Sequence, residues 1–264
     1  MFSTQGGKML LAFDIGNTHI VTGIYDNKGN LIISFRIATE NNITEDQFFS
    51  YVKNISDFNN INLKEVKDII ISSVVPNINV IFDYLSKKYF NLEPLWVSLN
   101  LELPFTFSKD LNYGGLGADR IIDIVKAVKL YNQRAMIIFD FGTATTYEVL
   151  QNKVYLGGGI LPGINMSINA LYGNTAKLPR VSFEKPSTVL GRDTVEQIQA
   201  GIFFGYVGQI REIITRIKKE LPDAFVIATG GLGKKISEEL EEIDIYLPNL
   251  ATDGLFEVYK NNKK

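Results

Sequence analysis

The chain has 264 residues, of which 45% are apolar and 21% charged, and its formal net charge is −2. That balance belongs to a soluble globular protein with material for one large core or two modest ones. No basic block points to a nucleic-acid surface, and no apolar run is long enough to span a membrane. Cysteine is absent, which excludes disulfides, thiolate chemistry and a cysteine zinc site, and the single histidine, His19, excludes a multi-histidine metal centre. The N-terminus has no basic-then-apolar signal peptide, so the cytoplasm is the expected compartment. Residues 1–8 are small and polar, and Met9, where the first strand begins, is the expected functional start.

Residues 10–26 read LLAFDIGNTHIVTGIYD: an apolar run, a turn at Asp14-Ile15-Gly16, and a second strand rich in β-branched residues. A third strand is predicted at 31–37 and a helix at 44–55 with Thr44 as N-cap. A buried strand at 69–75, a helix at 80–90 and a short strand at 94–97 follow, then a loop-like stretch at 101–117 and a helix at 119–131. Residues 136–152, MIIFDFGTATTYEVLQN, repeat the opening pattern, with Asp140-Phe141-Gly142 at the turn. Residues 156–163 read as a glycine-rich turn into a helix at 164–171. Asp193 to Gln197 resembles an N-cap with a capping box, opening a long helix to about Leu221. A strand at 225–228, a helix at 235–242 and a strand at 245–247 complete the prediction.

The repeated hairpin predicts two related mixed-sheet α/β halves, divided as 9–118 and 119–264. Ligands in such folds sit at strand ends, here expected in the cleft between the halves. Gly16 would let backbone N–H groups approach a phosphate, with Asn17 and Thr18 as neutral donors. Asp14 at the strand end could hold Mg²⁺, directly or through water. For one hairpin alone a tight turn is the better explanation of Asp and Gly; two such hairpins suit a nucleotide clamp. Gly142 and Thr143 could cradle phosphate oxygens, and Asp140 could bind a cation. Asp119 sits where a carboxylate complements the helix dipole, or where it accepts the proton of an attacking hydroxyl. Arg120 could pair with a carboxylate or phosphate. The glycines at 157–159 suit an anion site or close strand–helix packing. His19 reads as structural or at the cleft rim rather than catalytic. Gly201, Gly205 and Gly208, with Phe203, Phe204 and Tyr206, suggest close helix packing and a homodimer contact.

DIGNT at 14–18, GADR at 117–120, DFGTATT at 140–146, GGGILPGINMSINAL at 157–171, TAKLP at 175–179, GRDTVEQIQAGIFFG at 191–205 and ATGG at 228–231 together resemble the type III pantothenate kinase family. The resemblance implies two ribonuclease H-like domains of the actin-like ATPase fold, with mixed sheets flanked by helices. It implies ATP-dependent phosphorylation of pantothenate, the first step toward coenzyme A, by a homodimer. Asp14, Ile15, Gly16, Asn17, Thr18, His19, Ile20 and Val21, with Thr143, would bind ATP. Tyr113, Gly117, Ala118, Asp119, Arg120 and Thr194 would contact pantothenate, with Asp119 as proton acceptor. Asp140 would hold a monovalent cation, potassium or alternatively ammonium, and Mg²⁺ would accompany ATP. Neither nucleic acid nor membrane is an expected partner. A kinase for another small hydroxyl substrate, an accessory regulator of transcription and a filament-forming actin relative are the alternatives on this fold.

Overall fold

The structure, a computed structural model, describes residues 7–109, 111 and 114–263. The expectation placed on Tyr113 lies outside the described residues. In chain order the first strands are β1 (Met9–Ile15), β2 (His19–Tyr25) and β3 (Leu31–Ala38). Helix α1 (Glu45–Phe58) starts at Thr44, whose side chain accepts from Gln47 N while the Gln47 side chain accepts from Thr44 N. That reciprocal pair satisfies two of the N–H groups a helix start leaves open. Strand β4 (Val66–Ser73) and helix α2 (Asn79–Leu85) follow, and α2 continues as a π-helical turn over Ser86–Phe90 that ends at left-handed Asn91. Strands β5 (Leu95–Trp96) and β6 (Thr106–Phe107), helix α3 (Ala118–Leu130), and strands β7 (Ala135–Phe141), β8 (Ala144–Gln151) and β9 (Val154–Pro162) come next. Helices α4 (Ile164–Gly173) and α5 (Thr194–Glu220), strand β10 (Phe225–Thr229), helix α6 (Gly233–Ser237), strand β11 (Ile245–Tyr246) and helix α7 (Leu250–Asn262) complete the chain.

One compact unit gathers the described residues of 1–103, 113–129 and 250–264. Its strand order is β3-β2-β1-β4-β5, antiparallel across the first three strands and parallel from β1 to β5. Phe13, Phe48 and Phe82 form its centre, with ring centroids 4.9–5.8 Å apart. The apolar residues of β1 are buried because its sheet is covered on both faces. The second unit gathers the described residues of 104–112 and 130–249. Its order, β11-β10-β7-β8-β9-β6, repeats the first pattern with β6 added at the edge. Its core joins Phe139, Phe141, Phe203, Ile210 and Val226.

Several expectations change. The chain enters the first unit three times, because α3 and α7 both pack there, where the sequence suggested one boundary near 118. The glycines at 157–159 lie within strand β9, not in a turn: Gly157, Gly158 and Gly159 pair with Val149, Glu148 and Tyr147. The register slips beside Gly157, which takes φ +137°, so this glycine serves a bulge. At Gly159 a side chain would meet the Tyr147 ring. The bulge accounts for Gly157 and the Tyr147 ring for Gly159. Helix α6 is short, ending at Ser237 rather than 242.

Candidate functional site

In the first unit, Asp14 is the penultimate residue of β1, opposite Val21 on β2 and Ser72 on β4. The turn that follows is closed by Gly16 N donating to His19 O at 3.0 Å. Thr39, just past β3, braces it: its hydroxyl donates to Gly16 O at 2.6 Å and its N–H to Thr18 O at 3.0 Å. Asn17, Thr18 and His19 are exposed, whereas the side chains of Ile15 and Ile20 are fully buried in the core. Only the backbone of those two isoleucines is available to a ligand.

The same unit brings GADR to this turn. Val74 N donates to Ile15 O at 3.0 Å, and a Cβ at Gly117 would meet Val74 and the Asp119 carboxylate. Gly117 is thus the residue that leaves room for Asp119 to fold back over the helix start. Asp119 accepts from Arg120 N at 2.8 Å. Burial raises its pKa, while that N–H and the Arg120 charge oppose the rise. Burial also lifts Asp14 from 3.8 to about 6; the Ser72 hydroxyl opposes the rise and the Asp119 charge adds to it. Two carboxylates that feel each other across a partly dry surface are a place where a cation gains by binding.

In the second unit, Asp140 is the penultimate residue of β7, opposite Thr146 on β8 and Thr229 on β10. Its carboxylate occupies space that side chains at Gly142 and Gly230 would need. Gly230 has φ +87°, a conformation that favours glycine. Tyr246 donates to Gly230 O at 3.0 Å, and Tyr206 donates to the Thr145 hydroxyl. Burial raises both phenols, and the Asp140 charge raises them further, which puts both near this carboxylate. The start of α4 presses on the same turn, since a Cβ at Gly163 would strike the Thr143 carbonyl. Thr143 itself is exposed.

A type III pantothenate kinase profile matches residues 10–216. The chain belongs to the type III pantothenate kinase family. A type III pantothenate kinase from Fusobacterium nucleatum subsp. nucleatum is 61% identical over 256 residues, covering 97% of this chain and 100% of that one. Among solved structures, a conserved protein from Campylobacter jejuni described as a Baf family transcriptional activator superposes with a TM-score of 0.59 at 21% identity, over 95% of this chain and 97% of that one. The activator of 2-hydroxyisocaproyl-CoA dehydratase from Clostridium difficile, solved with bound ADPNP, gives 0.55 at 13% identity, over 96% and 93%. At these identities the two structures speak for the fold alone.

Of the residues expected from the family motifs, the first unit assembles the Asp14–Val21 turn with Gly117, Ala118, Asp119 and Arg120. The second assembles Asp140 with Gly142 and Thr143. Thr194 opens α5, exposed, with Asp193 as N-cap accepting from Glu196 N at 2.9 Å. The Glu196 side chain accepts from Arg192 N at 2.8 Å, one residue before the N-cap, so the expected capping box is displaced by one residue. Ser72, Tyr206 and Tyr246 stand beside the key carboxylates and were missed. Their sequence signal is faint: two serines ending an apolar strand, and tyrosines among core aromatics.

Proposed function

We infer that this chain transfers the γ-phosphoryl group of ATP to pantothenate, giving 4'-phosphopantothenate, the first step of coenzyme A biosynthesis. The observation that carries the inference is the 61% identity over 97% of the chain with a type III pantothenate kinase. The residue roles rest on the motifs and the local geometry. In the first unit the open turn after Asp14 would present backbone N–H groups and Asn17 and Thr18 to ATP phosphates. In the second, Thr143 would contact ATP.

Among the described residues, no three His, Cys, Asp or Glu side chains gather to hold a metal. Mg²⁺ commonly keeps several waters and takes one or two carboxylates beside substrate phosphates. Asp14 next to the Ser72 hydroxyl fits that requirement. Asp140, flanked by two glycines and two phenols, fits a monovalent cation, potassium or ammonium. When bound, these cations would offset the negative charge of the phosphate oxygens.

Asp119 would orient the primary hydroxyl of pantothenate and take its proton late in a loose transition state. A pKa raised by burial makes it a better base than an exposed aspartate. Arg120 would pair with the pantothenate carboxylate, with Gly117, Ala118, Tyr113 and Thr194 as further substrate contacts. The chain would work in the cytoplasm as a homodimer. The face of α5 supports that assembly: side chains at Gly201, Gly205 and Gly208 would meet nothing, and an open groove runs past Val189, Leu190, Gly201 and Phe204.

The deciding assay is phosphate transfer from ATP to pantothenate by purified chain with Mg²⁺, in potassium and again in sodium. Phosphopantothenate in potassium alone is the expected result. Turnover in both salts would remove the potassium role. No product in either, from folded protein that binds ATP, would overturn the function and leave another hydroxyl substrate or a regulatory role.

A further inference from the structure

Helix α3 carries Asp119 in its first turn and Lys126 seven residues later. Seven residues make nearly two helical turns, so both side chains leave almost the same face. Lys126 Nζ lies 3.5 Å from Glu257 Oε1 and 4.0 Å from Asp253 Oδ2, both on α7. The Lys126 and Glu257 side chains are only 15% and 13% exposed. The second oxygen of Glu257 is buried without a hydrogen-bond partner. Lys126 is therefore the counter-charge for a largely dry carboxylate. One turn away the helices meet backbone to backbone, since a Cβ at Gly254 would strike the Ile122 carbonyl.

Helix α7 is itself anchored. Phe256 packs tilted against Tyr25 of β2, ring centroids 5.5 Å apart, and fills the space above Gly29. Tyr259 donates to Asp68 of β4 at 2.7 Å, and Lys263 pairs with the same carboxylate. Replacing a buried ion pair by apolar groups is often neutral for stability, whereas such pairs can select one register. At this crossing, register determines where the start of α3 lies.

We propose that Lys126 is a positioning residue, whose pair with Glu257 sets the rotation and height of α3 on α7 and so holds Asp119 beside Asp14. The proposal builds on the reading of Asp119 as proton acceptor, but its first test does not need turnover. The charged groups facing Asp119 are Asp14 and Arg120, and those facing Lys126 are Asp253 and Glu257.

The experiment follows the Asp119 carboxyl carbon by NMR titration of full-length chain labelled at aspartate, assigned with Asp119→Asn. In Lys126→Met the Asp119 pKa is expected to fall by about half a unit or more as the carboxylate gains water. In the same variant kcat is expected to drop about tenfold or more with ATP affinity unchanged. Lys126→Arg restores both. The double variant Lys126→Met/Glu257→Met restores the thermal midpoint but not kcat. An unmoved Asp119 titration in Lys126→Met overturns the proposal, as does a double variant that regains kcat along with stability. Should wild-type chain make no phosphopantothenate while the titration still moves, the functional reading fails and the positioning role stands.

Discussion

Asp14 is a site residue whose protonation departs far from its ordinary behaviour. Its pKa is about 6 in the folded chain against 3.8 otherwise. The folded state thus holds this proton more tightly than the unfolded state. Below 3.8 both states are protonated and nothing is lost; stability then falls as pH rises, levelling off above about 6. The shift, 6 − 3.8 = 2.2 units, sets an upper bound of about 3 kcal/mol. Asp14→Asn is therefore expected to stabilise the chain in urea unfolding at pH 8, to change little at pH 3.5, and to lose turnover with Mg²⁺ and ATP. A stability gain joined to a loss of activity marks a site strained for binding. Asp119→Asn is expected to abolish turnover while calorimetry still finds ATP bound; lost nucleotide affinity with normal turnover would reassign the residue. Gly230→Ala combines an unfavourable φ with a clash against Asp140, so urea unfolding should show a loss of about 1–3 kcal/mol.

At the scale of elements, the helix starts separate stability from function. Thr44→Ala removes the side-chain half of the capping box on α1, the acceptor for Gln47 N, and is expected to cost about 1 kcal/mol in urea unfolding. Because α1 carries none of the proposed site residues, kcat should stay at the wild-type value. Asp193→Ala removes a comparable cap from α5, where the next residue is Thr194. There the same stability loss should be accompanied by a higher KM for pantothenate. Equal kinetics in the two cap variants would argue against a substrate role for Thr194. The hairpins were legible because alternating apolar residues ending in Asp-x-Gly leave few other local solutions. Strand β9 was not, because glycine normally weakens a strand, and here the Tyr147 ring occupies the space a side chain would take.

For the whole molecule, each unit repeats one strand order around its own hairpin. The proposed homodimer is tested at that scale. Substituting Arg at Gly205, on the open face of α5, is expected to convert a dimer to monomer in sedimentation equilibrium without lowering the thermal midpoint of the monomer. A dimer that survives this change would move the interface elsewhere.

Turn chemistry and motif spacing are local, so the two hairpins, the family and the positions of Asp14, Asp119 and Asp140 could be read from the chain before it was folded. Only the tertiary structure showed that α3 and α7 complete the first unit. Helix α7 carries Gly254 at a point where local propensity argues against helix, and its contact with the Ile122 carbonyl is what makes glycine necessary there. Ser72 reaches Asp14 through a parallel pairing across 58 residues of chain, and Tyr206 and Tyr246 approach Asp140 from two separate elements. Such neighbours follow from strand order and packing, which no local pattern of residues encodes.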